Sequence, residues 1–124
     1  LSAEHLGVAL ADIRAARASA DVVVVLVHWG VEYETAPSSD QRLWAERMLA
    51  AGATVIVGNH PHVLQPIEPL GHGLVAYSLG NFVFDQDPPA TRVGAASGDF
   101  TTVGLSAWRV LPIEIVDLHR PEWR

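Results

Sequence analysis

The chain has 124 residues, no cysteine and a formal net charge of −6 at pH 7. This length suits one domain or part of one, and the absence of cysteine excludes disulfides and thiolate metal ligands. The acidic balance argues against nucleic-acid binding, which needs a clustered basic face. No apolar stretch approaches the roughly 18 residues that a membrane span requires, so we expect no membrane segment in this sequence.

The first pattern along the chain is helical and covers residues 3–19. Ser2 is a candidate N-cap, and Leu6, Leu10 and Ile13 recur at the spacing of a helix with one buried face. We expect this helix to pack on a sheet and to carry no chemistry. Because the chain opens directly into the helix, we also expect the amino-terminal part of the domain to be missing from it.

Two apolar runs follow, and each leads into histidine. The run 21–27 leads into His28, and the run 53–57 leads into His60 and His62. Continuous Val/Ile/Leu runs are typical of strands that are buried on both faces of a parallel sheet. The sequence therefore predicts two buried strands with histidines at their carboxyl ends.

A second helix is predicted between these strands. Ser38 to Gln41 fits a capping box, and the helical pattern continues to about Ala51. Trp44 and Met48 lie one turn apart on one face, where core packing explains them better than a cofactor site. The order strand, helix, strand predicts parallel strands whose carboxyl ends share one edge of the sheet.

The second half of the chain has weaker patterns. The segment through Pro61, Pro66 and Pro69 is too rich in proline to predict regular structure. Leu74–Leu79 predicts a third strand, which is broken by Gly80-Asn81 and resumes at residues 82–84.

The end of the chain predicts a loop and then β-structure. Residues 85–98 have the composition of an exposed loop. Phe100–Val110 and Ile113–Leu118 predict two more strands, which we expect Pro112 to separate.

The histidines at the strand ends form the candidate site. The ends of neighbouring strands lie roughly 5 Å apart, so His28, His60 and His62 can converge on one point. Imidazole is the commonest metal ligand, and the leading hypothesis is a metal site. His-x-His alone is a weak signal, however. The alternative that stays open is that the three histidines are ordinary polar residues at strand ends, solvated or hydrogen-bonded to backbone.

Three further residues are candidates for substrate contacts or for supporting the metal ligands: Glu32, Asn59 and Asn81. Glu32 lies close to His28 along the chain, and Asn59 directly precedes His60. Asn81 follows the third strand and faces the same edge if that strand is parallel. Solvation of Glu32 and a purely structural role for Asn81 stay open. The sequence has no Gly-x-Ser-x-Gly elbow, and we assign no catalytic residue.

Three blocks of the sequence resemble the bacterial capsule-synthesis CapA family: HWGVEY at 28–33, GATVIVGNHPHVLQ at 52–65 and YSLGNFVFDQ at 77–86. Members of that family serve poly-γ-glutamate capsule formation and resemble calcineurin-like metallophosphoesterases. The resemblance implies an α/β fold, an αββα sandwich with mixed sheets. Residues 1–124 would be the carboxyl-terminal portion of a single domain of this kind.

The resemblance also implies a centre of two divalent metal ions in the full-length protein, with Mn, Fe, Zn and Mg not distinguished. His28 would match the lone histidine ligand of the metallophosphoesterase pattern, and His60 and His62 would match its terminal His-x-His. The Asp-containing and Asn-His-containing ligand motifs of that pattern would precede these blocks, and residues 1–27 do not supply them. We therefore expect weak metal binding and no useful turnover from this chain alone.

Two functions stay open at this point. The first is a metal-dependent hydrolase of the phosphoesterase type that acts, in the full-length protein, on a phosphorylated substrate. The alternative is a non-catalytic subunit that binds poly-γ-glutamate or supports a membrane-bound synthesis complex. The resemblance implies an extracytoplasmic place in the cell envelope, reached through the missing amino-terminal segment. The net charge of −6 fits a polyanion poorly unless metal ions supply positive potential.

Overall fold

The computed structural model describes residues 3–83, 92–101, 104–117 and 119–123. Its elements in chain order are α1 (Ala3–Arg17), β1 (Val24–His28), α2 (Ser39–Ala50), β2 (Val55–Asn59), β3 (Ile67–Leu70), β4 (Gly73–Ala76), β5 (Arg92–Thr101), β6 (Gly104–Val116) and β7 (Arg120–Trp123). A 4-stranded sheet has the order β1-β2-β4-β3, and a 3-stranded sheet has the order β5-β6-β7. The α/β class with a mixed sheet is confirmed.

The larger sheet has the parallel strands that the sequence predicts. Strand β2 pairs in parallel with β1 on one side and with β4 on the other, whereas β3 runs antiparallel to β4. The register places His28 opposite Asn59. The carboxyl ends of β1 and β2 therefore lie side by side, and the segment that follows β2 starts next to His28.

Both helices pack on one face of this sheet. The α2 capping box is present: Ser38 Oγ accepts from the Gln41 N–H, and Gln41 Oε1 accepts from the Ser38 N–H. The main core joins residues of the two helices to residues of the strands, among them Leu6, Ile13, Ala45, Met48, Val27, Ile56 and Val75. Neither helix is long and apolar enough to cross a membrane.

Strand β1 is not buried on both faces, which corrects the sequence prediction. Val24 is 53% exposed and Leu26 is 78% exposed, whereas Val23 and Val27 face the core. In the described sheet β1 is an edge strand, and the helices cover only one of its faces. An apolar run reports that a strand is apolar on both sides, but it does not reveal which side another element covers.

The proline-rich segment contains a strand, which also corrects the prediction. Pro69 lies in β3, an edge strand that pairs only with β4 in the described sheet. Proline is tolerated at a sheet edge because its missing N–H does not interrupt a ladder there. The predicted continuation of the third strand is wrong for residues 82–83, which form bends, and residue 84 lies outside the described residues.

The β-rich end differs from the prediction in two ways. Residues 92–98 belong to β5 rather than to a loop, while residues 85–91 lie outside the described residues. Pro112 does not separate two strands but lies inside β6, opposite Gly94. Strand β7 pairs only with residues 113–116 of β6. Among the described residues, none pairs with Pro112 on the β7 side of β6, and proline is tolerated in a strand where its missing N–H interrupts no ladder.

Candidate metal centre

The predicted histidines meet at the carboxyl edge of the parallel strands. His28 is the last residue of β1, and His60 and His62 follow directly after β2. The ring centroids of His28 and His60 lie 4.4 Å apart, and those of His60 and His62 lie 6.1 Å apart. The fold therefore brings imidazoles from separate segments together, as the strand–helix–strand pattern predicts.

Within this cluster, Glu32, His60 and His62 form a group with the geometry of a cation site. One candidate ligand atom from each residue lies within 4.8 Å of the others. The Oε1 atom of Glu32 is 3.9 Å from Nε2 of His62. Glu32, which the sequence offers only as a supporting or substrate-facing residue, thus lies among the possible ligands. His28 is not a member of this group, although its ring lies against that of His60.

Asn81 orients one of these imidazoles. Nδ1 of His62 lies 2.8 Å from Oδ1 of Asn81, so the ring N–H donates to the amide oxygen. In this tautomer Nε2 of His62 keeps its lone pair, and that atom is the one near Glu32. A hydrogen bond from the far nitrogen is the usual way in which proteins fix a ligating histidine. Asn59 acts through its backbone carbonyl, which accepts from the Trp29 N–H at 3.2 Å.

The backbone at the site adopts conformations that residues with a Cβ avoid. His60 has φ 99 and His62 has φ 62, and Tyr33 in the facing loop has φ 65. Such conformations cost of the order of 1–3 kcal/mol each and concentrate at functional sites, where the side chain is needed in spite of the strain. These positive-φ residues make the histidine segment a candidate functional site.

The loop that carries Glu32 is held by two buried glutamines that sequence reasoning missed. Gln41 is 1% exposed and Gln65 is 4% exposed, and their side-chain amides are hydrogen-bonded to each other. The sequence identifies Gln41 only as part of a capping box and Gln65 only within a family block. No local pattern reports that an amide is buried, because its partners lie far away along the chain.

Trp29 joins the ends of the strands beneath the histidines. Its indole Nε1–H donates to the Tyr77 carbonyl at 2.9 Å, across the β2 position occupied by Gly58. A Cβ at Gly58 would overlap both the Tyr77 carbonyl oxygen and the Trp29 indole nitrogen. Close packing therefore requires glycine at position 58. Because glycine has no side chain, the Trp29 indole can reach the Tyr77 carbonyl and connect the strands at the edge that carries the site.

A cavity of about 340 Å³ adjoins the histidines. His28 and His60 line one side of it, and Asp40 and Trp44, one helical turn apart on α2, line another. Its lining includes His28 and His60 but not Glu32 or His62.

The sequence is similar to those of bacterial capsule synthesis proteins. The family described as "Bacterial capsule synthesis protein PGA_cap" matches residues 2–86, which include the whole histidine cluster, Glu32 and Asn81. The "PGA biosynthesis protein CapA" of Bacillus subtilis (strain 168) is 47% identical over 104 residues, which are 83% of this chain and 27% of the relative. The "Capsule biosynthesis protein CapA" of Bacillus anthracis is 51% identical over 79 residues, 64% of this chain and 19% of the relative. The chain thus spans only a small part of the length of these relatives.

Proposed function

We propose that this chain, which belongs to the bacterial capsule synthesis protein family PGA_cap, contributes a divalent-cation site to a protein of capsule biosynthesis. The site consists of Glu32, His60 and His62. The single observation that carries the proposal is the grouping of their ligand atoms within 4.8 Å at the carboxyl ends of parallel strands. Ligands of open α/β sheets bind at this edge.

The donor set fits a first-row divalent ion. Two imidazoles and one carboxylate form the kind of three-residue set that leaves coordination positions open for water or substrate. Ligand atoms around such an ion lie within about 4 Å of one another. The Glu32 side chain is 56% exposed, so a rotation about its own bonds supplies the remaining approach.

The residues of the chain prepare the site before any ion binds. Asn81 holds the His62 tautomer whose Nε2 accepts a cation, and the positive-φ backbone aims His60 and His62 from one short segment. Glu32, His60 and His62 would hold the ion, which would supply Lewis-acid polarisation of the kind that phosphoester hydrolysis uses. His28 lines the adjoining cavity beside His60, and we propose it as a further ligand or substrate contact when the rest of the protein is present.

In the full-length protein, we propose a centre of two divalent ions and a hydrolase of the phosphoesterase type. The family resemblance carries this step, and the further ligands belong to motifs that precede residue 28 in that pattern. A location in the cell envelope fits a capsule biosynthesis protein. The partner would be poly-γ-glutamate, a phosphorylated substrate or a membrane-bound synthesis complex.

The alternative is a non-catalytic subunit in which the same cation serves structure or polymer binding. The names of the similar proteins, which refer to PGA and capsule biosynthesis, favour it. The net charge of −6 opposes binding of an anionic polymer unless a bound cation supplies positive potential. The two functions share the cation site and differ only in turnover.

Calorimetric titration of the full chain with Mn²⁺ tests the cation site. We expect weak binding of one ion, and we expect His60→Ala and His62→Ala to weaken it by more than the roughly 10–100-fold typical of supporting residues. His72→Ala is the matched control, because His72 lies on a turn at the other end of the strands and contacts the Ala53 carbonyl. An affinity that is the same in the wild type and both site variants would overturn the proposal.

Assay of the full-length protein on a generic phosphodiester with Mn²⁺ separates the two functions. Turnover that disappears in both histidine variants supports the hydrolase. Metal binding without turnover supports the accessory role.

A further inference from the structure

We infer that Gln41 and Gln65 are positioning residues that hold the Glu32 carboxylate in place for the cation. They do so by fixing the glutamate loop, residues 29–37, against the histidine segment, residues 60–62. The inference rests on the proposed function, because the position of Glu32 matters chemically only if a cation binds there.

Gln65 holds the end of the glutamate loop. Its Nε2 donates to the Glu34 carbonyl at 2.9 Å and to the Ala36 carbonyl at 3.2 Å. The side chain is 4% exposed, so both amide hydrogens are used in a place that little water reaches. Two carbonyls that follow Glu32 are thus tied to the segment that follows the histidines.

Gln41 holds Gln65 in turn. Its Nε2 donates to Gln65 Oε1 at 3.0 Å, and its Oε1 accepts from the Ser38 N–H at 3.0 Å. The Ser38 N–H at one end only donates, and the loop carbonyls at the other end only accept. Each amide therefore has a single orientation that satisfies every bond. The capping box of α2 is in this way connected to the glutamate loop.

Two more contacts complete the attachment of the loop. The ideal Cβ position of Gly30 lies 3.0 Å from the Gln41 amide, so the start of the loop packs directly on that side chain. The Tyr33 N–H donates to the Pro61 carbonyl at 2.8 Å, which joins the middle of the loop to the histidine segment. Glu32 lies between these two attachment points along the chain. Its backbone is therefore held in place, although its side chain is exposed.

Preorganisation is the physical gain from this arrangement. A carboxylate on an unattached loop loses backbone and side-chain freedom each time it binds a cation, and that loss weakens binding. The buried amides remove the backbone part of the loss in advance. Groups that orient metal ligands typically affect metal affinity by roughly 10–100-fold.

A double-mutant cycle tests this role against a merely structural one. Mn²⁺ affinity is measured by calorimetry for the full chain, Gln65→Met, Glu32→Ala and the double variant. We expect Gln65→Met to weaken binding about tenfold when Glu32 is present. In the Glu32→Ala background the same change should alter affinity by less than about twofold, as for an uncoupled site. No loss in the first case, or an equal loss in both, would overturn the positioning role.

Thr54→Val is the matched control. It also removes a buried hydrogen bond, from the Val23 N–H to Thr54 Oγ1, but at the opposite end of the strands. It should lower stability and leave Mn²⁺ affinity unchanged. Gln65→Glu provides a second variant if Gln65→Met does not fold, since it keeps the acceptor for Gln41 and loses the donor to the loop carbonyls.

Amide exchange supplies a readout that needs no metal. The Tyr33 amide should exchange at least about tenfold faster in metal-free Gln65→Met than in the wild type or Thr54→Val. Unchanged exchange would overturn the attachment itself. A second result is also possible: Gln65→Met speeds Tyr33 exchange, but the wild type does not bind Mn²⁺. That result would overturn the cation site and the positioning role and leave the attachment of the loop standing, so the two failures are distinguishable.

Discussion

The turns before β2 and β4 and the segment directly after β2 reach positive φ with different residues, although Gly30 and Gly80 also adopt it after β1 and β4. The turns before β2 and β4 adopt positive φ at Gly52 (φ 116) and Gly71 (φ 59), whereas the segment after β2 does so at His60 (φ 99) and His62 (φ 62). Glycine enters this region without steric cost, and histidine does not. The segment directly after β2 therefore has imidazoles at positions where the backbone conformation favours glycine.

Buried polar groups show the same contrast. At the amino end Thr54 Oγ1 accepts from the Val23 N–H at 3.1 Å and joins neighbouring strands. At the carboxyl end Gln41 and Gln65 hold a loop. We therefore expect substitutions at the amino end to change the free energy of unfolding alone, and substitutions at the carboxyl end to change cation affinity as well.

The largest expected effect on stability is at Gly58, where the carboxyl end meets the core. Gly58→Ala should lower the free energy of unfolding by about 3 kcal/mol, as overpacking does. The added Cβ would overlap the Tyr77 carbonyl oxygen and the Trp29 indole nitrogen, and backbone must move to make room. Urea denaturation followed by tryptophan fluorescence measures the change.

Gly7→Ala is the control for this prediction. Nothing lies within 4 Å of a Cβ at Gly7 in α1, so alanine there should stabilise the helix by about 0.5–1 kcal/mol. If Gly58→Ala were as stable as the wild type, the close approach of Trp29 to Tyr77 would not be needed. The contrast between the two ends would then be confined to the loops.

The carboxyl-edge cluster is predictable because its signal is local. The valine run before His28 and the run before His60 each predict a strand, and the helix between them makes the strands parallel. The roles of the buried glutamines are not predictable in this way. Gln65 lies 31 residues from the Glu34 carbonyl it bonds, and a glutamine whose amide is satisfied by folding looks in the sequence like a surface residue.

The failures of sequence reasoning also have particular causes. The exposed face of β1 at Leu26 depends on what covers the sheet, which an apolar run does not report. Pro69 lies in an edge strand of the described sheet, and Pro112 lies at a position of β6 that pairs with β5 but with no described residue of β7. Strand order sets such positions. Strand order is a property of the whole fold, whereas the prediction from proline uses only the residues nearby in the sequence.

A smaller effect on stability, with no matching difference in binding between the two variants, is expected at His60. His60→Gly should be more stable than His60→Ala by about 1 kcal/mol, because glycine relieves the strain of φ 99. Both variants should lose Mn²⁺ affinity, since both lack the imidazole. Denaturation and calorimetry on the same two proteins measure the two quantities.

Gly71→Ala tests the mirror image of this change at the amino end. Gly71 has φ 59 and open space around its Cβ position, so alanine should cost about 1 kcal/mol through backbone strain alone. Its Mn²⁺ affinity should equal that of the wild type.

If His60→Gly were less stable than His60→Ala, the claim that histidine is kept at position 60 in spite of strain would be wrong.

The smallest expected effect is on the pH dependence of stability at Tyr77, which lies in the core rather than among the candidate metal ligands. Burial raises the pKa of Tyr77 above its ordinary value of 10.0; the nearby Glu68 carboxylate adds to the rise and Arg42 opposes it. The unfolded phenol ionises first, so this contribution to stability is present below about pH 10 and is lost as pH rises through the folded pKa. Tyr77→Phe should therefore lose less stability than the wild type as pH rises above about 10.

Tyr33→Phe is the matched control, because Tyr33 is 51% exposed and its ring lies beside His62 rather than in the core. The alkaline stability curve of Tyr77→Phe is compared with those of the wild type and Tyr33→Phe. Parallel alkaline curves for the wild type and Tyr77→Phe would show that the buried phenol ionises as easily as an exposed one. In that case water reaches the Tyr77 hydroxyl. The core at the carboxyl ends of the strands would then be less tightly packed than the contrast between the two ends requires.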